Sequence, residues 1–261
     1  MGKKKIGILD VDSHNFPNLA LMKIASYHKL HGDNVEWLNN FETYNTAYIS
    51  KIFDFSKTDN HFINADEIHK GGTGFDLTTK LPDQIEASQP DYTIYPQYKY
   101  SIQFFSRGCI RNCKFCVVRQ KEGNIMPVEP MQLNPIGKHI EILDNNFFAN
   151  PEWKKAIDLL LEWKQPVNLH GVDIRLMDEE QAYWLNKLKH KKQIHIAWDM
   201  PKIDLTKKLT EVTKYIKPYK LMCYVLIGFD STPQQDMYRV ERLRELKIDP
   251  FVMPFDKSDP Y

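Results

Sequence analysis

Short apolar runs separated by polar loops occupy the first third of the chain. Residues 6–9 form an apolar run that stops at Asp10, which predicts a buried strand leading into a loop. Apolar residues between 18 and 28 recur at a spacing typical of a helix packed on a sheet. Residues 35–38 and 47–53 predict a second and a third strand. A strand, a helix and a strand in this order predict a parallel βαβ unit.

Strands and helices alternate from about residue 98 onward. Six apolar runs predict strands whose starts lie roughly 25 to 40 residues apart, which is the spacing of βα units in a parallel barrel. Helix start signals lie between them, including capping boxes at Asp178 and Thr232 and a proline at Pro151. The predicted strands are 101–106, 139–143, 167–170, 193–198, 220–227 and 250–253.

The two patterns together predict an α/β protein with two domains. Residues 1–97 would form a small α/β domain, and residues 98–261 a partial parallel barrel. The segment from 84 to 99 contains two prolines and three tyrosines and predicts the linker into the barrel. A parallel barrel carries its site at the carboxyl ends of its strands, so the residues that follow each strand are the functional candidates.

Composition restricts where the protein works more than what it does. The 261 residues carry a net charge of +1 and are 42% hydrophobic, which argues against a protein that coats nucleic acid. The sequence has neither a long apolar run nor a secretory signal, so we expect no membrane partner. Four cysteines, three of them clustered, predict a reduced, cytoplasmic protein. Lysines between 187 and 220 predict solvated helix faces or, alternatively, a surface for a nucleic-acid or phosphorylated substrate.

Three cysteines lie within one short segment at the spacing C-x3-C-x2-C: Cys109, Cys113 and Cys116. Thiolates this close in sequence can converge on one metal centre, and three of them leave one iron of a four-iron cluster open. A zinc site completed by a distant histidine and a plain group of reduced cysteines are the alternatives. A ferredoxin-type run fits poorly, because its spacing differs and Val117 stands where a proline would follow. Cys223 lies in an apolar run and predicts a buried small side chain.

This spacing, with Phe115 directly before the last cysteine, resembles the signature of the radical S-adenosylmethionine (radical SAM) superfamily. The resemblance implies a partial (β/α)6 barrel and a [4Fe–4S] cluster that binds S-adenosyl-L-methionine at its open iron. It also implies reductive cleavage of that molecule to a 5′-deoxyadenosyl radical, which abstracts hydrogen from a substrate. An external electron donor of flavodoxin or ferredoxin type would reduce the cluster. The substrate, whether a small molecule, a nucleotide or a macromolecule, stays open, as does the net reaction.

The resemblance also implies roles for residues that follow the predicted strands. Asp144 and Asn146 occupy the place where the family binds the methionine amino group. Residues 171–176 resemble a G-x-D-x-R-L segment, in which Arg175 would pair with the carboxylate. Asp173 would bind a hydroxyl group or orient Arg175. The implied S-adenosylmethionine contacts are Phe115 and Ile227 at the adenine, Asp144 and Asn146 at the amino group, and Asp173 and Arg175 at the carboxylate or a hydroxyl.

The domain at 1–97 resembles the cobalamin-binding-like, flavodoxin-type domain that precedes the barrel in one group of these enzymes. Asp12 and His14 resemble part of a cobalt-ligating D-x-H-x-x-G motif, but Pro17 replaces its glycine, so we expect no cobalamin. A glycine-rich turn at 71–74 predicts positive-φ positions, or backbone amides that face an anion. Two alternative functions follow: a cobalamin-dependent radical SAM methyltransferase, and a non-catalytic iron–sulfur or zinc-binding module.

Overall fold

The computed structural model describes residues 2–12, 16–58 and 62–255. The fold is mixed α/β with mainly parallel sheets, which confirms the predicted α/β class. The chain divides into two compact units: Met1–Lys99 with Met131–Pro135, and Tyr100–Pro130 with Ile136–Tyr261. Hydrogen bonds within the first unit hold its detached segment, including one of 2.7 Å from Gln132 N–H to Gln89 Oε1. The ligand-binding roles expected of the two domains stay predictions.

The first unit contains a four-stranded parallel sheet with strand order β2-β1-β3-β4. Three strands and the helix lie where the sequence predicted them. The fourth strand was missed, because its mostly exposed positions give no apolar pattern. The elements are β1 (Lys5–Asp10), α1 (Leu19–Leu30), β2 (Asn34–Trp37), β3 (Thr43–Ser50), β4 (Asn64–Gly71) and a short helix α2 (Asp83–Glu86).

Helix α1 begins where a polar side chain can satisfy its first free amides. The Asn18 carboxamide oxygen accepts a hydrogen bond from Leu21 N–H, which is the usual N-cap contact. The buried face of the helix then packs Leu21 and Ile24 with Ile8 of β1 and Ile85 of α2. This cluster forms the apolar core between the sheet and its helix.

The glycine-rich turn after β4 is held by the segment that follows β3. Gly74 N–H donates to Lys51 O at 3.0 Å, and Lys51 N–H donates to Gly71 O at 3.0 Å. Gly72 has a φ of +101°, as the sequence predicted. These contacts favour the structural role of the turn. His14, the candidate cobalt ligand, lies outside the described residues.

The second unit contains two three-stranded parallel sheets and a two-stranded antiparallel pair. The parallel sheets have the orders β5-β8-β9 and β10-β11-β12, and a parallel bridge between Val172 and Ile196 lies between them. All six predicted strands are present, the first one being shorter than expected. The strands are β5 (Ser101–Gln103), β6 (Ser106–Arg107), β7 (Met126–Pro127), β8 (Ile140–Ile142), β9 (Val167–Leu169), β10 (Ile194–Ala197), β11 (Leu221–Ile227) and β12 (Asp249–Pro254).

Helices follow these strands, and two of them begin at the predicted start signals. Both capping boxes are formed, at Asp178 with Gln181 and at Thr232 with Gln235. The helix near Pro151 starts later than expected, because Asn150 Oδ1 accepts Glu152 N–H and makes a turn first. The helices are α3 (Val118–Glu122), α4 (Trp153–Trp163), α5 (Glu179–Lys187), α6 (Thr206–Val212) and α7 (Pro233–Glu245).

Alternate positions on the strands of the second unit differ sharply in polarity. One face of β8 and β9 carries fully buried apolar residues such as Ile142 and Leu169. The opposite face carries Glu141 and Asn168, which are register partners. Strand β12 is an edge strand whose central residues 251–253 are exposed and apolar, and it contains Pro250 and Pro254.

Among the described residues, none of the helices combines the length and apolar character needed to cross a membrane.

Candidate functional site

The cysteine loop starts at the end of β6 and is clasped by a single carboxylate. Glu122, at the end of α3, accepts hydrogen bonds from Arg107 Nε at 3.0 Å and Nη2 at 2.8 Å. It also accepts from Gly108 N–H at 2.9 Å and from Asn145 Nδ2 at 2.9 Å. Burial alone would raise the pKa of Glu122, but these donors and the charge of Arg107 outweigh it and lower the pKa. An ionised Glu122 therefore ties the base of the loop to the segment after β8.

Gly108 is required by the close approach of two backbone segments. Its φ is +80°, and a Cβ added there would lie 2.2 Å from the carbonyl oxygen of Asn124. The next residue, Cys109, donates its N–H to Gly123 O at 3.2 Å. Any larger residue at position 108 would push the cysteine loop away from this support.

The three cysteines occupy one partly exposed loop. Cys116 is exposed, and Cys109 and Cys113 are half-buried. Cys116 N–H donates to Cys113 O at 3.0 Å, which closes a turn between them. Burial and the neighbouring thiols raise the pKa of Cys113, an effect that the Arg175 guanidinium partly offsets. The fourth cysteine, Cys223, is fully buried in β11, and burial raises its pKa, as expected of a small core residue.

Across residues 2–12, 16–58 and 62–255, no three histidine, cysteine, aspartate or glutamate side chains are grouped closely enough to hold one metal ion. A four-iron cluster binds each thiolate at a different iron, so its ligands lie farther apart than those of one ion. The cluster assignment of Cys109, Cys113 and Cys116 stays a prediction.

Asp173 links the cysteine loop to the segment after β9. Its carboxylate accepts from Arg111 Nε at 2.9 Å and from Arg175 at two positions, at 2.6 Å to Nε and 2.9 Å to Nη2. The Arg175 guanidinium also interacts electrostatically with the Cys113 thiol. Although burial alone would raise it, the two arginines lower the pKa of Asp173. The carboxylate is therefore ionised and orients Arg175, which is one of its two predicted roles.

Asn146 lies beside Asp173 and has a carboxamide oxygen without a hydrogen-bond partner. The residue is 2% exposed, and its Nδ2 donates to Asp173 Oδ2 at 3.4 Å. Its Oδ1 atom is buried without a hydrogen-bond partner. Buried polar atoms are normally paired, so an unpaired oxygen beside the cysteine loop suits a ligand that supplies a donor. The ammonium group of a bound methionine is such a donor, which is the contact predicted for Asn146.

The Asp144 side chain is hydrogen-bonded to the segment that joins β5 to β6. It accepts from Phe105 N–H at 2.9 Å and from Ser106 Oγ at 2.5 Å. Burial raises its pKa to about 6 despite these donors. Its carbonyl oxygen lies so close to Gly171 that a Cβ there would approach to 1.8 Å. Asp144 thus has a structural task, and its role at a methionine amino group stays a prediction.

Both predicted adenine contacts lie near a group of phenylalanine rings. Phe115 packs edge-on against Phe229, with ring centres 5.4 Å apart, and Phe229 packs against Phe255 at 4.6 Å. Ile227, two residues before Phe229, uses its carbonyl oxygen to accept Phe255 N–H at 3.0 Å. Phe115 and the end of β11 are therefore brought together, with the Ile227 carbonyl already engaged.

Comparisons with known proteins add no family to this description. No protein-family model matches the chain, and no curated protein matches it. Membership of the radical SAM superfamily therefore stays a prediction from the cysteine motif.

Two parts of the site were not anticipated from the sequence. Glu122 carries no motif, and its contacts with Arg107 and Asn145 join separate segments of the chain. Glu141 and His195 lie on strands, and His170 directly follows one, where apolar neighbours dominated the pattern. The alternation of polar and apolar residues along 139–141 and 168–170 was the available signal that polar side chains share one face of these strands.

Proposed function

We propose that this chain is a radical SAM enzyme, in which Cys109, Cys113 and Cys116 hold a [4Fe–4S] cluster. When bound, the cluster supplies the electron that cleaves S-adenosylmethionine to a hydrogen-abstracting 5′-deoxyadenosyl radical. A flavodoxin- or ferredoxin-type protein is the proposed electron donor. The observation that carries the proposal is the meeting of the cysteine loop with Asp173, Arg175 and the unpaired Asn146 oxygen.

The chain's own residues have definite tasks in this proposal. Asn146 Oδ1 accepts a hydrogen bond from the methionine ammonium group, and Arg175 pairs with the carboxylate while Asp173 fixes its orientation. Phe115 contacts the adenine ring at the end of β11, beside Ile227. Asp144 holds the segment between β5 and β6 in place through its hydrogen bonds to Phe105 and Ser106. Because three cysteines supply only three thiolates, one iron stays open for the ligand.

The strand order of each unit supports the proposed architecture. In the second unit the six parallel strands follow one another in chain order, as they do in a (β/α)6 barrel. The ring contact of His170 with His195, at 5.6 Å, and the bridge from Val172 to Ile196 connect β9 with β10. In the first unit the order β2-β1-β3-β4 is that of a flavodoxin-type sheet. We infer a cobalamin-free domain of this type.

Product analysis after anaerobic reconstitution tests the proposal. The full chain is loaded with iron and sulfide, reduced with dithionite and incubated with S-adenosylmethionine. We expect an iron–sulfur absorption band, close to four irons per chain, and 5′-deoxyadenosine detected by mass spectrometry. An intact cluster that yields no 5′-deoxyadenosine rules the proposal out, and zinc in place of iron favours the metal-binding module.

Cysteine variants provide a matched control. Cys116→Ala is expected to lose both the cluster and the product, because it removes one of three iron ligands. Cys223→Ala removes a buried thiol from β11 and is expected to keep both. Equal iron contents in the two variants would contradict the assignment. An absorption spectrum of the purified chain separates the cobalamin-dependent alternative, which requires a bound corrinoid.

A further inference from the structure

A row of polar side chains crosses one face of β8 to β11, on strands whose other face is apolar. These six residues are called the polar face: His139, Glu141, Asn168, His170, His195 and Tyr224. Glu141 Oε1 lies 2.8 Å from His139 Nε2, and Glu141 Oε2 lies 2.7 Å from His170 Nε2. Asn168 Nδ2 donates to Glu141 Oε2 at 2.8 Å. The polar face is continuous through the 5.6 Å ring contact of His170 with His195.

The contacts of the polar face show which ring nitrogens already have a partner. Burial alone would raise the pKa of Glu141, but hydrogen bonds from His170, Asn168 and His139 lower it to about 2, so it is a carboxylate. His170 Nε2–H therefore donates to Glu141, so His170 would donate to an anion from Nδ1 when that nitrogen also carries a proton. The Tyr224 hydroxyl lies 3.4 Å from His195 Nδ1. With the hydroxyl donating, the proton of His195 is on Nε2 and is free to donate to a ligand.

Positive charge exceeds negative charge around the polar face. Lys191 Nζ lies 2.8 Å from His139 Nε2. Burial is the main reason that the pKa of His195 is lowered; the charges of His170 and Lys192 lower it further, and Glu141 opposes them. Within the polar face itself, Glu141 is the one carboxylate, and burial raises the pKa of Asp199, which lies just beyond the end of β10. An anion placed against His170 and His195 would reduce this imbalance.

Two further features indicate a ligand rather than a closed core. The side chain of His170 is 37% exposed, so the polar face is open to solvent. Asn168 is 4% exposed, yet its Oδ1 atom is buried without a hydrogen-bond partner. Next to the polar face, Tyr224 packs edge-on against Phe251 at 5.5 Å, and Phe251 and Met253 of β12 expose apolar surface. The polar face and the exposed apolar surface of β12 thus lie side by side.

We propose that the polar face binds an anionic small molecule, a carboxylate or phosphate ester, held by His170 and His195 with its apolar part on Phe251 and Met253. A hydroxyl or amino group on the same molecule would pair with Asn168 Oδ1. The inference deepens the proposed function, because it names the substrate class, and it rests on that function only in calling the ligand a substrate.

Calorimetric titration of the full reconstituted chain tests this without S-adenosylmethionine. The probes are phenyl phosphate, benzoate, inorganic phosphate and neutral phenol. We expect phenyl phosphate or benzoate to bind, inorganic phosphate to bind more weakly than phenyl phosphate, and phenol to bind least. Binding of phenyl phosphate alone identifies a phosphate ester, and binding of benzoate alone identifies a carboxylate. Phenol binding as tightly as both anions overturns the proposal.

Histidine variants locate the binding. His170→Gln and His195→Gln are each expected to weaken the anion about tenfold, since each removes a charge-assisted hydrogen bond. His69→Gln on β4 is the matched control and is expected to leave affinity unchanged. Because His195 is buried, circular dichroism checks that its variant folds, and otherwise His170→Gln decides alone. Unchanged affinity in His170→Gln refutes the site, whereas failure to form 5′-deoxyadenosine refutes only the proposed radical chemistry.

Discussion

Replacing Glu122 by alanine should loosen the cysteine loop before it affects any other part of the second unit. The carboxylate accepts four hydrogen bonds, from two atoms of Arg107, from Gly108 N–H and from Asn145. Its side chain is 15% exposed, whereas that of Arg107 is 35% exposed. Arg107 can therefore recover hydration in the variant, but the Gly108 amide is left without its acceptor.

The size of the effect follows from these differences in exposure. An unpaired amide costs about 1 to 3 kcal/mol, and loss of the bond to Asn145 adds about 1 kcal/mol. The ion pair with Arg107, whose side chain is about one-third exposed, adds little to the stability, because solvent screens it. We expect Glu122→Ala to lower the free energy of unfolding by about 2 to 4 kcal/mol. Iron bound after reconstitution should fall with it, since Gly108 precedes the first cysteine.

Denaturant unfolding followed by circular dichroism measures the first effect, and iron analysis the second. The pKa of Glu122 is lowered in the folded protein, so its contribution is complete above the ordinary value of 4.5 and is lost as pH falls through the folded value. The difference between wild type and Glu122→Gln should accordingly be larger at pH 7 than near pH 3.5. Glu129→Ala, at an exposed position in the same segment, is the control. Equal stability and iron content in the two alanine variants would show that the hydrogen bonds of Glu122 do not hold the cysteine loop in place.

Three other substitutions test separate parts of the second unit. Arg239→Met leaves the buried Asp236 carboxylate unpaired and should cost about 3 to 5 kcal/mol in urea unfolding; a loss below 1 kcal/mol contradicts this. Because burial raises the pKa of Asp144 to about 6, the folded state loses stability as pH rises from 4 to 6, and Asp144→Asn should gain about 2 kcal/mol relative to wild type across that range; an unchanged difference in unfolding free energy between pH 4 and pH 6 excludes this. Asn146→Ala should weaken S-adenosylmethionine about tenfold by calorimetry, and unaltered affinity removes its proposed role.

Local sequence signals were enough for most of the elements. The capping boxes at Asp178 and Thr232 fixed two helix starts to the residue, because capping depends on side chains only three positions apart. Strands with fully buried faces were found for a similar reason, since their apolar runs are continuous. Strand β4 was missed because an exposed strand with the sequence NADEIHKG lacks both an apolar run and a regular alternation.

Long-range pairing explains what the sequence did not predict. Arg239 is buried against the carbonyl oxygens of Trp198 and Leu226, which lie on other elements of the chain. On sequence alone it occupies an ordinary polar position of α7. Glu141 is similarly a lone charged residue in a short apolar run until β9 places His170 beside it. Partners that are distant in sequence leave no local pattern, so such groups emerge only from the fold.

Pro250 and Pro254 bear on how this protein behaves at high concentration. Among the described residues, β12 is an open sheet edge with exposed Phe251, Val252 and Met253, a template on which a second molecule could add a strand. Proline has no N–H, so the two prolines remove donors at both ends of that apolar stretch and shorten the ladder that an incoming strand could form. The edge can thus keep its apolar surface accessible to a small ligand while resisting polymerisation into fibres.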